Sequence, residues 1–122
     1  MNRRRDAQGG DPMPGAYIGT VGLWGEFAKY LAELEQAIEE QCGDDIEKLI
    51  RFLKPYFRHY GTSAKGRAPL FYTEQTSECL RLLGEVKRRS RGGRFSSALI
   101  SLEAINEVVE SAARKAGIYL RE

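Results

Sequence analysis

Apolar residues recur at three- and four-residue steps in four stretches of this chain, the spacing of helices that bury one side. In the first, from about Gly22 to Cys42, Leu23, Phe27, Tyr30, Leu31, Leu34 and Ile38 form the stripe. Glu26, Glu33, Glu39 and Glu40 lie on the other side, and Gly43 is expected to close the helix. Asp44 is placed to cap a second helix with Ile46, Leu49, Ile50, Leu53 and Phe57 inward. Pro55 interrupts that pattern and is expected to kink or restart the helix, because its ring removes a backbone donor and crowds the preceding turn.

Gly61 to Ala68 reads as a loop, and Pro69 suits the first position of a third helix. This helix is expected to bury Tyr72, Cys79, Leu83 and Val86, with Leu80 and Leu82 widening the stripe, until Gly92 and Gly93 end it. A fourth helix covers roughly Phe95 to Ala116, with Leu99, Leu102, Ile105, Val109 and Ala112 inward, and Gly117-Ile118 resembles a Schellman stop. The alternative has Phe95 to Ser101 extended and Ser101 capping a shorter helix.

Four amphipathic segments with no alternating strand pattern predict an all-α fold, a small antiparallel bundle of about four helices. Residues 1–16 contain Arg, Gly and Pro without apolar periodicity and read as a flexible tail; residues 17–122 read as a single helical domain. Between the two, Trp24 joins Tyr17, Ile18, Val21 and Leu23 among four glycines, Gly15, Gly19, Gly22 and Gly25. That apolar group either covers one end of the bundle or docks a partner or second copy.

Charge changes this picture most. From Lys48 to Arg94 there are twelve basic residues against three acidic ones, a balance of +9, while the whole chain carries only +2. So uneven a field predicts a polyanionic partner. Lys48, Arg51, Lys54 and Arg58 recur at helical spacing and form one basic stripe; Lys65 and Arg67 follow in the loop. Lys87, Arg88, Arg89, Arg91 and Arg94 cluster with Ser90, Gly92 and Gly93, where guanidinium groups and backbone N–H groups can share phosphate oxygens, with Arg81 a turn or two earlier. Cations at a helix C-terminus also complement its dipole, but one or two suffice for that. Tyr56, Tyr60, Phe71 and Tyr72 lie near the cations in sequence and are candidates to stack unpaired bases or to sit in the core.

No catalytic motif accompanies these charges. His59 is the only histidine, and seven residues separate it from Arg51, too many for the Arg-to-His spacing of all-helical HEPN ribonucleases. One His and two distant Cys residues, Cys42 and Cys79, make no zinc site, and the cysteines are expected to be reduced residues on apolar faces. Glu33, Glu35, Glu39 and Glu40 read as a solvated acidic face, and Gly92-Gly93 lacks the rest of a Walker loop. Neither metal nor cofactor is expected. The apolar stretches are too short for a membrane span, and Asp6 and Asp11 stand where an export signal needs apolar residues after Arg3 to Arg5. These features predict a cytoplasmic, non-catalytic subunit that binds nucleic-acid phosphate backbone through its basic face, RNA or single-stranded DNA in preference to a sequence-specific duplex, inside a larger ribonucleoprotein or DNA-associated assembly. The competing expectation is a protein-interaction or homo-oligomeric module whose basic face meets an acidic protein surface.

Overall fold

The computed structural model describes residues 15–61, 70–118 and 120, with side chains from residue 22 onward. Among the described residues the elements are four helices, α1 (Gly15–Glu39), α2 (Gly43–Tyr60), α3 (Thr73–Arg91) and α4 (Phe95–Lys115). Each packs on the next and α4 returns to α1, so the helices form a ring of four around one core. The order of contacts is antiparallel throughout: Tyr30 meets Phe52 and Glu26 meets Tyr56, Glu47 meets Arg91, and Glu85 meets Ser101. The bundle expected from the apolar periodicity is the fold. Among the described residues no helix is long and apolar enough to cross a membrane. The first fourteen residues, with Arg3 to Arg5, lie outside the described residues, as do Lys65, Arg67 and Pro69.

One end of the core is aromatic. Trp24, Phe27, Phe57 and Phe71 are fully buried, and Phe71, just before α3, wedges between α1 and α2. Its ring lies edge-on to Trp24 and Phe27 at 5.3 Å each and 5.4 Å from Phe57. Trp24 therefore closes the end of the core and offers no docking surface. Nearby, buried Gly61 lets the end of α2 touch α3. A Cβ there would stand 2.2 Å from Thr76 Oγ1 and 2.8 Å from the Phe57 carbonyl oxygen.

The helix ends show where local sequence misleads. Gln41, not Gly43, terminates α1: it adopts φ 57°, and the Cys42 N–H donates to the Ala37 carbonyl at 3.0 Å, completing a Schellman turn. Gly43 consequently opens α2. Cys42 stands at the N-cap without a side-chain bond, and Asp44 and Asp45 fall in the first turn, where they favour the helix dipole instead of capping. Pro55 neither restarts nor breaks α2, which is continuous to Tyr60; the proline is exposed, so the carbonyl it leaves without a donor faces the solvent side.

Helix α3 starts four residues later than Pro69 suggests, with Tyr72 at its N-cap. Tyr72 is 64% exposed, contrary to its expected burial, and its N–H donates to Gln75 Oε1 at 2.9 Å. At the start of α4, Phe95 to Ser101 is helical, and Ser101 is buried in mid-helix instead of capping it. The Gly117 stop is as the sequence implies, with φ 83° and the Ile118 N–H bonded to the Ala113 carbonyl at 2.9 Å.

Two stability measurements follow from these ends. Gly61→Ala forces the α2–α3 contact apart and is expected to cost about 1–3 kcal/mol in urea unfolding. Gln41→Gly removes an unfavourable left-handed conformation and is expected to raise stability by about 0.5–1 kcal/mol, after the greater backbone entropy of unfolded glycine is offset.

Candidate functional site

Burial of Ile46, Ile50, Leu53 and Phe57 fixes how α2 is rotated, and thereby where its cations go. Arg51, Lys54 and Arg58 lie along the flank next to α3. Lys87 reaches the same place from α3, one turn before Arg91. Together they line a groove of about 250 Å³ between the two helices, with Ile50 and Pro55 supplying apolar wall and Glu47 one end. Arg51 and Arg58 are exposed, Lys54 and Lys87 half-buried, and none of the four has a hydrogen bond or ion pair among the described residues.

The remaining predicted cations divide sharply. Lys48 is not on this track. It lines a separate groove between α1 and α2 with Glu33, Glu40 and Asp45, a mainly acidic surrounding. Arg91 reaches across to α2 and holds Glu47 in a bidentate pair, Nε to Oε2 at 2.7 Å and Nη2 to Oε1 at 3.1 Å. That hydrogen-bonded guanidinium, helped by the charges of Lys87 and Arg51, keeps the Glu47 carboxyl below the usual carboxylate range. The one acid in the groove is thus already neutralised.

Arg89 turns the other way, to α4. Its Nη1 donates to Ser101 Oγ at 2.8 Å and to the Ser97 carbonyl at 3.3 Å, and the Ser101 hydroxyl donates to Glu85 Oε1 at 3.1 Å. Arg81 is occupied by Glu78 and Glu85. Arg88 and Arg94 are exposed and without a bonded partner among the described residues. The backbone N–H groups expected to face a phosphate here are already used: Gly92 bonds to Arg88, Gly93 to Ser90 and Arg94 to Arg89, at 3.1, 3.0 and 2.8 Å. Gly93 at φ 75° makes this the Schellman end of α3, so the glycines serve the turn.

The aromatic candidates separate as well. Phe71 is core. The Tyr56 hydroxyl is hydrogen-bonded to Glu26, and burial together with that carboxylate pushes the phenol's pKa far up. Exposed Tyr72 lies 5.5 Å from the Lys115 ammonium, on the far side of α3. The aromatic that the stripe reading passed over is Phe52, 42% exposed. It stands four residues before Tyr56 and outside the buried stripe, and that spacing is the signal that marks it. Exposed His59 packs edge-on to Tyr60 at 4.5 Å. Burial pushes the Cys79 thiol up to about 12, leaving it protonated at neutral pH. Both Cys79 and Cys42 are free thiols. Among the described residues no group of three or more His, Cys, Asp or Glu side chains is arranged to hold a metal ion.

No family model, curated protein or solved structure matches this chain. The reading of the site therefore stands on its chemistry.

The different surroundings of two adjacent arginines supply a check. Arg89→Ala is expected to lower stability by about 1–2 kcal/mol because its bonds to α4 disappear, whereas Arg88→Ala stays within about 0.5 kcal/mol of the parent. Urea unfolding of both variants measures the difference.

Proposed function

We propose that this chain is a non-catalytic, nucleic-acid-associated helical subunit that holds phosphate backbone in the α2–α3 groove, with little sequence discrimination, as part of a larger cytoplasmic assembly. The observation that carries this reading is the convergence of Arg51, Lys54, Arg58 and Lys87 from two helices on one groove, free of hydrogen-bond and ion-pair partners among the described residues. Along α2 the three cations are separated by rises of roughly 4.5 and 6 Å, a track of charges instead of a single anion point. Cations left unpaired on a folded surface favour counterions, and a polyanion that displaces several of them gains the entropy of their release. The one carboxylate on the groove is held by Arg91, so it presents little repulsion to a phosphate. Arg88 in the last turn of α3 and Arg94 just after it add exposed positive charge at that end of the helix.

Binding of a labelled single strand of about 30 nucleotides and of its duplex, measured across a salt series with the mass of free and bound protein recorded, tests the proposal. Micromolar or tighter binding that weakens steeply with salt is the expected result. Replacing Arg51, Lys54, Arg58 and Lys87 together by Gln is expected to flatten the log–log salt slope on the single strand by about 0.7 for each phosphate no longer neutralised. Lys48→Gln, in its acidic surroundings, leaves the slope close to the parent's. Absence of binding by a chain that is already oligomeric alone would instead assign the basic face to an acidic protein surface.

A further inference from the structure

Beside the cationic groove stands a second feature that phosphate binding does not require. Phe52 follows Arg51 in the chain, a step of about 100° around α2, and reaches the side of the helix nearer α1. Arg51 and Pro55, both exposed, form the edge of the groove on the side toward Phe52. Phe52 is 42% exposed although the ordinary place of a phenylalanine is the core. Its ring is held by two neighbouring rings. Tyr30 lies 4.7 Å away, and Tyr56 lies 5.2 Å away at only 26° from parallel. Tyr56 in turn is held by its hydroxyl's bond to Glu26 and by ring contact with Phe27 at 4.7 Å. An exposed aromatic surface fixed in this way loses little freedom when a flat partner settles on it.

We infer that Phe52 is a stacking platform for an unpaired base of a strand whose phosphates lie in the α2–α3 groove, and that the ligand of this site is therefore single-stranded nucleic acid. This rests on the phosphate-groove reading and adds strandedness to it. The π-face of an unpaired base needs an exposed aromatic next to, not within, the track of its own backbone, and the arrangement of Phe52 beside Arg51 provides that. A duplex keeps its bases stacked inside and has no group to place on the ring. The order along the surface, cations toward α3 and ring toward α1, sets phosphates on one side of the α2 ridge and bases on the other. RNA and single-stranded DNA share this chemistry.

The test compares four probes of equal length, an RNA strand, a DNA strand, an abasic DNA strand and a DNA duplex, on the full chain and on Phe52→Leu and Phe52→Tyr. Leu keeps the apolar contact with Tyr30 and Tyr56, so circular dichroism and thermal melting of this variant should match the parent. The expected result is that Phe52→Leu weakens binding of one or both base-bearing single strands about 5- to 100-fold, leaves the abasic strand and the duplex unchanged, and is rescued by Phe52→Tyr. A 2-aminopurine base in the bound strand should be quenched by the parent and by Phe52→Tyr, and not by Phe52→Leu. Equal affinity of the parent for natural and abasic strands, with no effect of Phe52→Leu, overturns the stacking platform while leaving the phosphate groove standing. Failure of all four probes to bind overturns both.

Discussion

Every feature of the basic side depends on how the buried stripe of α2 fixes the rotation of that helix. Ile46, Ile50, Leu53 and Phe57 are all nearly inaccessible, and each contributes about 1.5–3 kcal/mol when moved out of water. The exposed ion pairs of this surface are worth at most about 1 kcal/mol each. Burial therefore decides the rotation, and the charges take the positions left over. With those four residues inward, Arg51, Lys54 and Arg58 fall toward α3 while Phe52 and Tyr56 fall toward α1. A helix turned by a third of a revolution would expose Phe57 and carry the α2 cations away from Lys87. The groove is in this sense a by-product of the core, and its geometry is as stable as the core itself.

The parts of the fold that were legible in the sequence are those with a strong periodic cause. Four apolar stripes gave four helices, and Gly117 followed by Ile118 marked a stop that the backbone does make. The misplaced boundaries arise where the deciding factor is a tertiary one. Glycine at 43 looks like the natural end of α1, yet Gln41 takes the left-handed position, because the chain must turn there for Ala37, Ile38 and Ile46 all to reach the core. Phe71 belongs to no helix and shows no periodicity, so its burial against Trp24, Phe27 and Phe57 could not be read from spacing. The cation stripe was visible as spacing. That Lys87 joins it, and that Lys48 leaves it for the acidic side, depends on which helices become neighbours.

The cluster from Lys87 to Arg94 illustrates why a count of charges overstates a binding surface. By density it was the strongest candidate in the chain. In the fold its five cations have three different occupations. Arg89 ties α3 to α4 and Arg91 ties α3 to α2, so the last turn of α3 is fixed to both of its neighbours by opposite arginines. Arg88 and Arg94 are left in solvent, and Lys87 alone turns into the groove. The glycines and their N–H groups complete the Schellman turn. An arginine-rich helix end here is in part a structural joint, and three of the four cations on the groove come from α2.

Glu47 gives the clearest view of how the joint and the groove are coupled. A lone carboxylate beside Arg51 and Lys87 would either pair with those cations or repel an incoming phosphate. Arg91 prevents both outcomes by satisfying the carboxylate in a planar, two-bond geometry that a lysine could not supply. The same contact links α3 to α2 at the end of the groove, so the pair that removes the competing charge also reinforces a spacing between Lys87 and the α2 cations that the core sets. Loss of either partner would therefore act twice, loosening the groove wall and leaving an uncompensated charge at its end. For Glu47→Gln the two effects oppose each other, since a looser wall weakens a phosphate contact while a missing negative charge strengthens it. For Arg91→Gln they act together, because the freed carboxylate turns to the groove cations as the wall loosens.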